Sequence, residues 1–203
     1  MPLDLLSALQ AHRVVAIVRS GDSKVALDTV LTLVDSGIEL VEVSLTTVDA
    51  LAVVARARDV LGESAALGVG TVLSAADARR AADSGASFVV TPGVTDALAE
   101  CRDLGLPALA GALTPTEVVA ALDAGATAVK LFPASLGGVA HLCALRAPFP
   151  DVPFVPVGGV DARVARDYLA AGAIAVGVGG PLVGDGPEGL ADRIAAFRVL
   201  VTV

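Results

Sequence analysis

The chain has 203 residues, of which 55% are apolar, and its formal charge is −8. An apolar content this high excludes an intrinsically disordered chain, and the acidic charge argues against a nucleic-acid or anionic-membrane partner. Two cysteines and two histidines are too few for a disulfide framework or a His/Cys metal centre.

Short apolar runs recur along the whole chain, and their starts are separated by about 20 to 26 residues, the length of a βα unit. The runs are continuous rather than alternating, which is typical of parallel strands covered on both faces. The predicted strands are Val14–Val18, Leu40–Leu45, Ala66–Val72, Phe88–Pro92, Ala108–Leu113, Ala128–Phe132, Phe154–Val157 and Ile174–Val178.

Helix start and stop signals occupy the segments between these runs. Ser74, Thr114 and Asp161 stand where helix N-caps are expected, and Thr114 with Glu117 has the spacing of a capping box. A further short helix is predicted over Asp4–Ala11. Glycines that end a helix before the next strand are predicted at Gly37, Gly85, Gly125 and Gly172.

Eight βα units without a linker predict a single (β/α)₈ TIM barrel over residues 1–203, with a short N-terminal helix. The alternative is a doubly wound open sheet. Its dinucleotide signature, G-x-G-x-x-G after the first strand, is missing, because Arg19-Ser20-Gly21-Asp22 follows that strand. The barrel is therefore favoured.

One of the two lysines lies in the middle of an apolar strand. Lys24 falls at a helix start, where a solvated side chain is expected, whereas Lys130 lies in Val129-Lys130-Leu131-Phe132-Pro133. Its amine either reaches solvent or forms a buried ion pair, or it is a desolvated amine that attacks a carbonyl and forms a Schiff base.

Two further charged residues occur on strands. Glu42 shares one side of its strand with Ser44, and it is either a structural partner of a basic residue or a general acid/base near Lys130. Arg19 ends the first strand, where a guanidinium is either simply exposed or binds a substrate carboxylate.

Glycine pairs follow the last two strands, Gly158-Gly159 and Gly179-Gly180. In phosphate-binding barrels these two loops commonly hold the anion, because glycine lets backbone N–H groups approach the phosphate oxygens. Tight turns also need glycine, so one pair alone would be weak evidence for a phosphate site.

On the third and fourth strands, Thr71 is a candidate contact to a substrate carboxylate, and Pro92 is a candidate apolar wall of the substrate pocket.

The remaining candidate residues are given structural roles. Cys101 and Cys143 are read as small apolar side chains in helices, His12 and His141 as surface residues, and Tyr168 as a helix residue packed on the barrel.

The beginning of the chain, Met1 to Asp4, lacks the basic and apolar regions of a signal peptide. No run of about 20 apolar residues occurs. We therefore expect a reduced, cytoplasmic, soluble protein.

The combined pattern resembles the class I 2-keto-3-deoxy-6-phosphogluconate (KDPG) aldolase family, which includes the 4-hydroxy-2-oxoglutarate (KHG) and 2-keto-3-deoxy-6-phosphogalactonate aldolases. The matching segments are collinear and span essentially the entire chain. They are Val14–Arg19, Val41–Thr46, Gly68–Val72, Val90–Gly93, Thr114–Glu117, Val129–Pro133 and Pro156–Val160.

The resemblance implies a pyruvate-forming aldolase that is a homotrimer acting on a small 2-keto acid, with no metal or organic cofactor. It implies a Schiff-base lysine at Lys130 and a proton-shuttling carboxylate at Glu42. The other implied contacts are to the substrate carboxylate (Arg19, Thr71), to the substrate in its pocket (Thr46, Pro92, Phe132, Val157) and to phosphate (Gly158, Gly159, Gly179, Gly180).

Three positions depart from the family's pattern. Thr46 stands where some members carry an arginine, and members without it often have an arginine in the position of Arg19. Val157 replaces a threonine, as in the phosphogalactonate branch, which leaves the stereochemical preference at C4 open. Gly180 replaces a serine in the last phosphate loop. This removes a hydroxyl donor to the phosphate, so an unphosphorylated substrate stays an alternative.

We therefore expect cleavage of a 2-keto-3-deoxy-4-hydroxy acid to pyruvate and an aldehyde such as D-glyceraldehyde 3-phosphate. Two other functions stay open on the residues alone. One is a phosphosugar isomerase with Glu42 as its base, and the other is a phosphate-binding barrel without catalysis.

Overall fold

The computed structural model of the protein describes residues 3–201, so residues 1, 2, 202 and 203 of the predicted 1–203 domain lie outside the described part. Strands and helices alternate along the described chain. The strands are β1 Val14–Val18, β2 Leu40–Ser44, β3 Ala66–Gly70, β4 Phe88–Val90, β5 Ala108–Ala112, β6 Ala128–Leu131, β7 Phe154–Pro156 and β8 Val176–Val178. The helices are α1 Leu5–His12, α2 Ser23–Asp35, α3 Ala50–Leu61, α4 Ala75–Asp83, α5 Ala97–Asp103, α6 Pro115–Asp123, the 3₁₀ turn Ala134–Leu136, α7 Gly138–Arg146, α8 Ala162–Ala170, α9 Gly180–Val183 and α10 Leu190–Val201.

The eight strands form a nearly closed parallel barrel, which confirms the predicted fold. Each strand from β1 to β6 pairs with the next one, and β8 pairs with β1. Between β7 and β8 the seam is joined by a bridge between Val157 and Gly177 and by a hydrogen bond from Ile174 N to Phe154 O (3.1 Å).

Most predicted strands are one or two residues too long at their carboxyl ends. After the last residue paired with a neighbouring strand, the chain enters the mouth of the barrel, where its side chains are still largely buried. The apolar sequence therefore continues beyond the end of the strand. Thr71, Thr91 and Val157 all fall in such ends. The prediction of β8 was wrong at its start, since the ladder begins at Val176 rather than Ile174.

The helix signals are confirmed. Ser74 and Thr114 each form a capping box, with Asp77 and Glu117, and the Asp161 carboxylate accepts from Val164 N at 2.8 Å. The predicted N-terminal helix begins one residue later, at Leu5, because Asp4 is its N-cap. The glycines after α2, α4, α6 and α8 have positive φ: Gly37 (87°), Gly85 (83°), Gly125 (90°) and Gly172 (92°).

The apolar core has two layers. One lies between the strands and the outer helices, and the other fills the barrel interior, where Leu5 and Leu9 of α1 pack with strand residues such as Leu40 and Phe88. Among the residues whose burial is described, Glu42 and Lys130 are the only buried charged side chains. A charge in such an interior is costly unless it is paired or functional, so these two residues mark the place to look for a site.

None of the helices between residues 3 and 201 has the length and apolar character that crossing a membrane requires.

Candidate active site

A cavity of about 330 Å³ opens at the carboxyl ends of the strands, the face where barrel enzymes carry their active sites. It collects residues from seven of the eight strands, all except β5, or from the loops that follow them. Of the twelve predicted site residues, all except Thr46 line it. Its lining is Ile17, Arg19, Glu42, Thr71, Pro92, Lys130, Phe132, Val157, Gly158, Gly159, Val160, Gly179, Gly180 and Pro181.

A larger cavity, of about 460 Å³, lies at the opposite end of the barrel, beside the loops that enter β3, β4 and β5. Its most prominent polar group, the Arg58 guanidinium, donates to the carbonyls of Gly62, Ala65 and Gly85 and to the Ser87 hydroxyl. Because these donors already bind the backbone of the loops, this arginine has a structural role, and the smaller cavity is the better candidate site.

Lys130 and Glu42 face this smaller cavity from opposite sides of the barrel. Their side chains are almost fully enclosed, with 6% and 2% of their surface exposed. Among the described residues, no ion pair includes either of them. The Lys130 Nζ atom lies 4.9 Å from the centre of the Phe132 ring. The amine is thus held at the cavity without a carboxylate that neutralises it.

Burial shifts both pKa values toward the uncharged forms. Desolvation lowers the pKa of Lys130, and the nearby Arg19 charge lowers it further, while Glu42 partly opposes this. Desolvation likewise raises the pKa of Glu42, against the attraction of Lys130 and Arg19. Compared with solvated side chains, the cavity therefore favours the neutral form of the amine, which is the nucleophilic one, and the protonated form of the carboxyl group.

Gly70 on β3 makes room for the Glu42 carboxyl. A Cβ atom built on Gly70 would lie 1.5 Å from Glu42 Oε1, so no larger residue fits while the carboxyl stays in place. The paired strands β2 and β3 set Ser44 beside Gly70 and thereby fix this close approach.

We expect Gly70→Ala to displace the Glu42 carboxyl and lower kcat by about 100-fold, the scale on which a misplacement of about 1 Å acts. Steady-state kinetics on the folded variant checks this. The control is Gly21→Ala, since a Cβ on Gly21 has no atom within 4 Å and kcat should not change. A Gly70→Ala enzyme with unchanged kcat would contradict the assigned geometry.

Arg19, at the end of β1, is held by a chain of hydroxyl groups. Arg19 Nε donates to Thr46 Oγ1 at 2.9 Å, and Thr46 Oγ1 lies 2.8 Å from Ser44 Oγ. Ser44 Oγ lies 2.8 Å from Thr71 Oγ1. Thr46 therefore contacts Arg19 and is absent from the cavity lining. Sequence reasoning placed Ser44 on the same side of β2 as Glu42 but gave it no role.

The other end of the cavity offers backbone donors rather than charged side chains. No hydrogen bond among the described residues uses the N–H groups of Gly159, Gly179 or Gly180. Gly159 has a φ of 75°, which favours glycine, and a Cβ there would lie 2.8 Å from Ser135 Cβ. Pro181 supplies no N–H. The glycine loops thus present free N–H groups suited to an anion.

The structural roles given to other residues are only partly confirmed. Tyr168 is buried, as predicted, and its hydroxyl donates to the Ala134 carbonyl at 2.9 Å. Lys24 is solvated, as predicted, and pairs with Asp28 at 2.7 Å. Cys101 is buried, which raises the pKa of its thiol to about 11. Cys143, in contrast, is exposed, so the prediction that it packs as a small apolar side chain was wrong.

The two histidines are half-buried rather than fully at the surface. His12 Nε2 lies 3.7 Å from Glu39, and His141 Nε2 lies 2.7 Å from the Leu113 carbonyl oxygen, joining α7 to the loop after β5. Between residues 3 and 201, no group of three or more His, Cys, Asp or Glu side chains could hold a metal ion. The absence of a cofactor stays a prediction.

Comparisons with known proteins point to one family. A family model described as KDPG and KHG aldolase matches residues 5–195. The 2-dehydro-3-deoxy-phosphogluconate aldolase of Treponema pallidum (strain Nichols) is 35% identical over 170 residues, which cover 83% of this chain and 80% of that protein. The 2-dehydro-3-deoxy-6-phosphogalactonate aldolase of Escherichia coli (strain K12) is 32% identical over 187 residues, 90% of this chain and 91% of that one. A solved structure described as native KDPGal is similar with a TM-score of 0.86 and 31% identity, and covers 92% of both chains.

Proposed function

The chain belongs to the KDPG and KHG aldolase family and is an aldolase, and we propose that it cleaves a 2-keto-3-deoxy-4-hydroxy acid through a Schiff base on Lys130. The observation that carries this proposal is the enclosure of that amine. It is 6% exposed, has no carboxylate partner within ion-pair distance among the described residues, and lines a cavity with one other buried charge.

The reaction begins at the C2 ketone of the substrate. The neutral Lys130 amine adds to C2, and loss of water leaves an iminium ion whose positive nitrogen accepts electrons. As the C4 hydroxyl gives its proton to the Glu42 carboxylate, directly or through one water, the C3–C4 bond breaks, its electron pair forms the enamine, and the aldehyde departs. Glu42, directly or through one water, then gives a proton to C3, and hydrolysis of the iminium frees pyruvate and the amine.

Arg19 and Thr71 are the proposed contacts of the substrate carboxylate. Both line the cavity together with Lys130, and a guanidinium can grip a carboxylate with two parallel hydrogen bonds. Pro92 and Phe132 supply apolar walls beside the reacting carbons. Binding the carboxylate next to the amine would bring C2 into reach of Nζ.

At the far end of the cavity, the loops with Gly158-Gly159 and Gly179-Gly180 would hold the phosphate of a phosphorylated substrate. The unused N–H groups there support this role, since each bond to a charged acceptor contributes about 1.5–3 kcal/mol. The substrates that fit are 2-keto-3-deoxy-6-phosphogluconate and its galactonate epimer, which yield D-glyceraldehyde 3-phosphate, and also 4-hydroxy-2-oxoglutarate.

We expect kcat/KM for the phosphorylated acids to exceed that for 2-keto-3-deoxygluconate by about 100-fold, the equivalent of two charge-assisted hydrogen bonds. A coupled assay of pyruvate release with both C4 epimers and with 4-hydroxy-2-oxoglutarate measures this. Since Val157 offers no hydroxyl to a C4 substituent, we expect modest discrimination between the epimers. Equal kcat/KM values with and without phosphate would contradict the phosphate site.

Reductive trapping tests the Schiff base directly. Sodium borohydride added with pyruvate should leave a three-carbon adduct on the protein, and peptide mass spectrometry should place it on Lys130. The only other lysine in the chain, Lys24, should carry none. A protein that releases pyruvate but forms no adduct would overturn the mechanism. An isomerase or a non-catalytic barrel would release no pyruvate.

The homotrimer is likewise a proposal. Leu73, Val94 and Leu136 are exposed apolar side chains that follow β3, β4 and β6, on one side of the barrel mouth. A contact with a neighbouring copy would cover them. Light scattering should give the mass of three chains, and the mass of one chain would contradict the proposal. The cytoplasmic location stays a prediction.

A further inference from the structure

Ser44 links the two proposed carboxylate contacts, although it does not line the cavity. It lies on β2, two residues after Glu42, and its side chain is fully buried. Its hydroxyl oxygen lies 2.8 Å from both Thr46 Oγ1 and Thr71 Oγ1. Through Thr46, which accepts from Arg19 Nε, the hydroxyl chain joins three strand ends, those of β1, β2 and β3.

One direction of donation, which begins at Arg19, is consistent with every hydrogen bond of this chain of hydroxyl groups. A guanidinium only donates, so Thr46 Oγ1 accepts from Arg19. With that contact made, Thr46 Oγ1 can give its proton to Ser44 Oγ, which also accepts from Thr46 N at 3.3 Å. Ser44 then donates to Thr71.

The Thr71 hydroxyl is thereby left with a proton and with no acceptor for it in the described part of the chain. A carboxylate is an acceptor only, so a donor oriented in this way suits it. The opposite direction would turn oxygen lone pairs toward the substrate anion. Donation that begins at a cation also polarises each following hydroxyl and strengthens its donation.

We propose that Ser44 is a positioning residue that directs the Thr71 hydroxyl proton toward the carboxylate of the bound keto acid. The inference rests on the proposed function, because it assumes that the carboxylate lies at Arg19 and Thr71. Thr71 has a φ of 61°, which is unfavourable for a β-branched residue, so its position depends on contacts such as this one.

The test compares pyruvate with pyruvamide, its neutral isostere. For each compound, the concentration that gives half-maximal borohydride trapping is measured. The unmodified enzyme should prefer pyruvate, and Ser44→Ala should reduce that preference by about tenfold, the loss expected for one hydrogen bond to a charged group. Ser44→Cys, which keeps the size of the side chain but is a weak donor, should reduce the preference for pyruvate to a similar extent. Ser44→Thr, which keeps the hydroxyl group, should retain the preference.

Thr29→Val is the matched control. Thr29 is also buried, and its hydroxyl donates to the Val25 carbonyl at 2.7 Å on α2, away from the cavity. Loss of the Thr29 hydroxyl should leave the preference for pyruvate over pyruvamide unchanged. Circular dichroism establishes that each variant is folded, and Ser44→Cys carries the test if the alanine variant is not.

The outcomes separate the inference from the proposed function. An unchanged preference for pyruvate in folded Ser44→Ala or Ser44→Cys would overturn the role of Ser44, as would equal half-maximal concentrations of both compounds in the unmodified enzyme. If the unmodified enzyme forms no adduct with pyruvate at all, the Schiff-base function itself fails.

Discussion

Replacing Lys130 with alanine should lower pyruvate release by more than about 10⁴-fold, the scale on which loss of a covalent nucleophile acts in other enzymes. No described side chain can take over the role, because Lys130 and Lys24 are the only lysines and Lys24 is 82% exposed and paired with Asp28. The measurement is the coupled assay of pyruvate release, supported by the loss of the borohydride adduct.

Two variants make this result specific. Lys130→Arg retains a positive charge, but a guanidinium stays protonated and forms no imine, so it should be as inactive as alanine. Lys24→Arg should retain full activity. If Lys130→Arg releases pyruvate at more than a tenth of the unmodified rate, the amine acts through its charge rather than as a nucleophile. The same rate in Lys130→Ala would exclude an essential role for the amine.

The pH dependence of trapping has a definite sign. Burial lowers the pKa of Lys130, so the neutral amine is present at a lower pH than for a solvated lysine, whose usual value is 10.5. The rate of adduct formation should therefore rise with pH through this lowered pKa and reach its plateau below pH 10.5. A plateau that comes only above pH 10.5 would show that the amine is solvated.

The strands and the two buried charged residues were predictable because of how a parallel barrel is covered. Helices lie on one side of each strand and the packed interior on the other, so apolar residues fill both faces and a charge stands out. For this reason Lys130 and Glu42 were recognised, and the structure does place both of them, almost fully buried, in one cavity.

The links between the strands were not predictable in the same way. Arg19, Ser44 and Thr71 come from β1, β2 and β3, and a serine on an apolar strand has no pattern of its own. The need for Gly70 likewise appears only when the Glu42 carboxyl on the neighbouring strand is placed beside it. Side-chain neighbours across strands depend on the register, which periodicity along one strand does not specify.

Replacing Glu42 with glutamine should slow the exchange of pyruvate methyl protons with deuterium by about 10²–10⁴-fold, the usual contribution of a general acid/base. The exchange is suitable because it needs the imine and one proton transfer at C3, without any bond cleavage between carbons. Glutamine keeps the size of the buried side chain and removes only its ability to accept and return a proton. NMR spectroscopy in D₂O follows the exchange.

The pH profile distinguishes this role from a structural one. Burial raises the pKa of Glu42 above its usual 4.5, so in the unmodified enzyme the carboxylate is lost, and exchange falls, as the pH drops through this raised value. Glu42→Gln should lack that acid limb and retain the dependence that arises from Lys130. Glu42→Asp keeps a carboxylate, displaced by one methylene, and should retain the limb at a reduced rate. If Glu42→Gln exchanges at the unmodified rate, or still shows the acid limb, another group moves the proton and Glu42 is not the general acid/base.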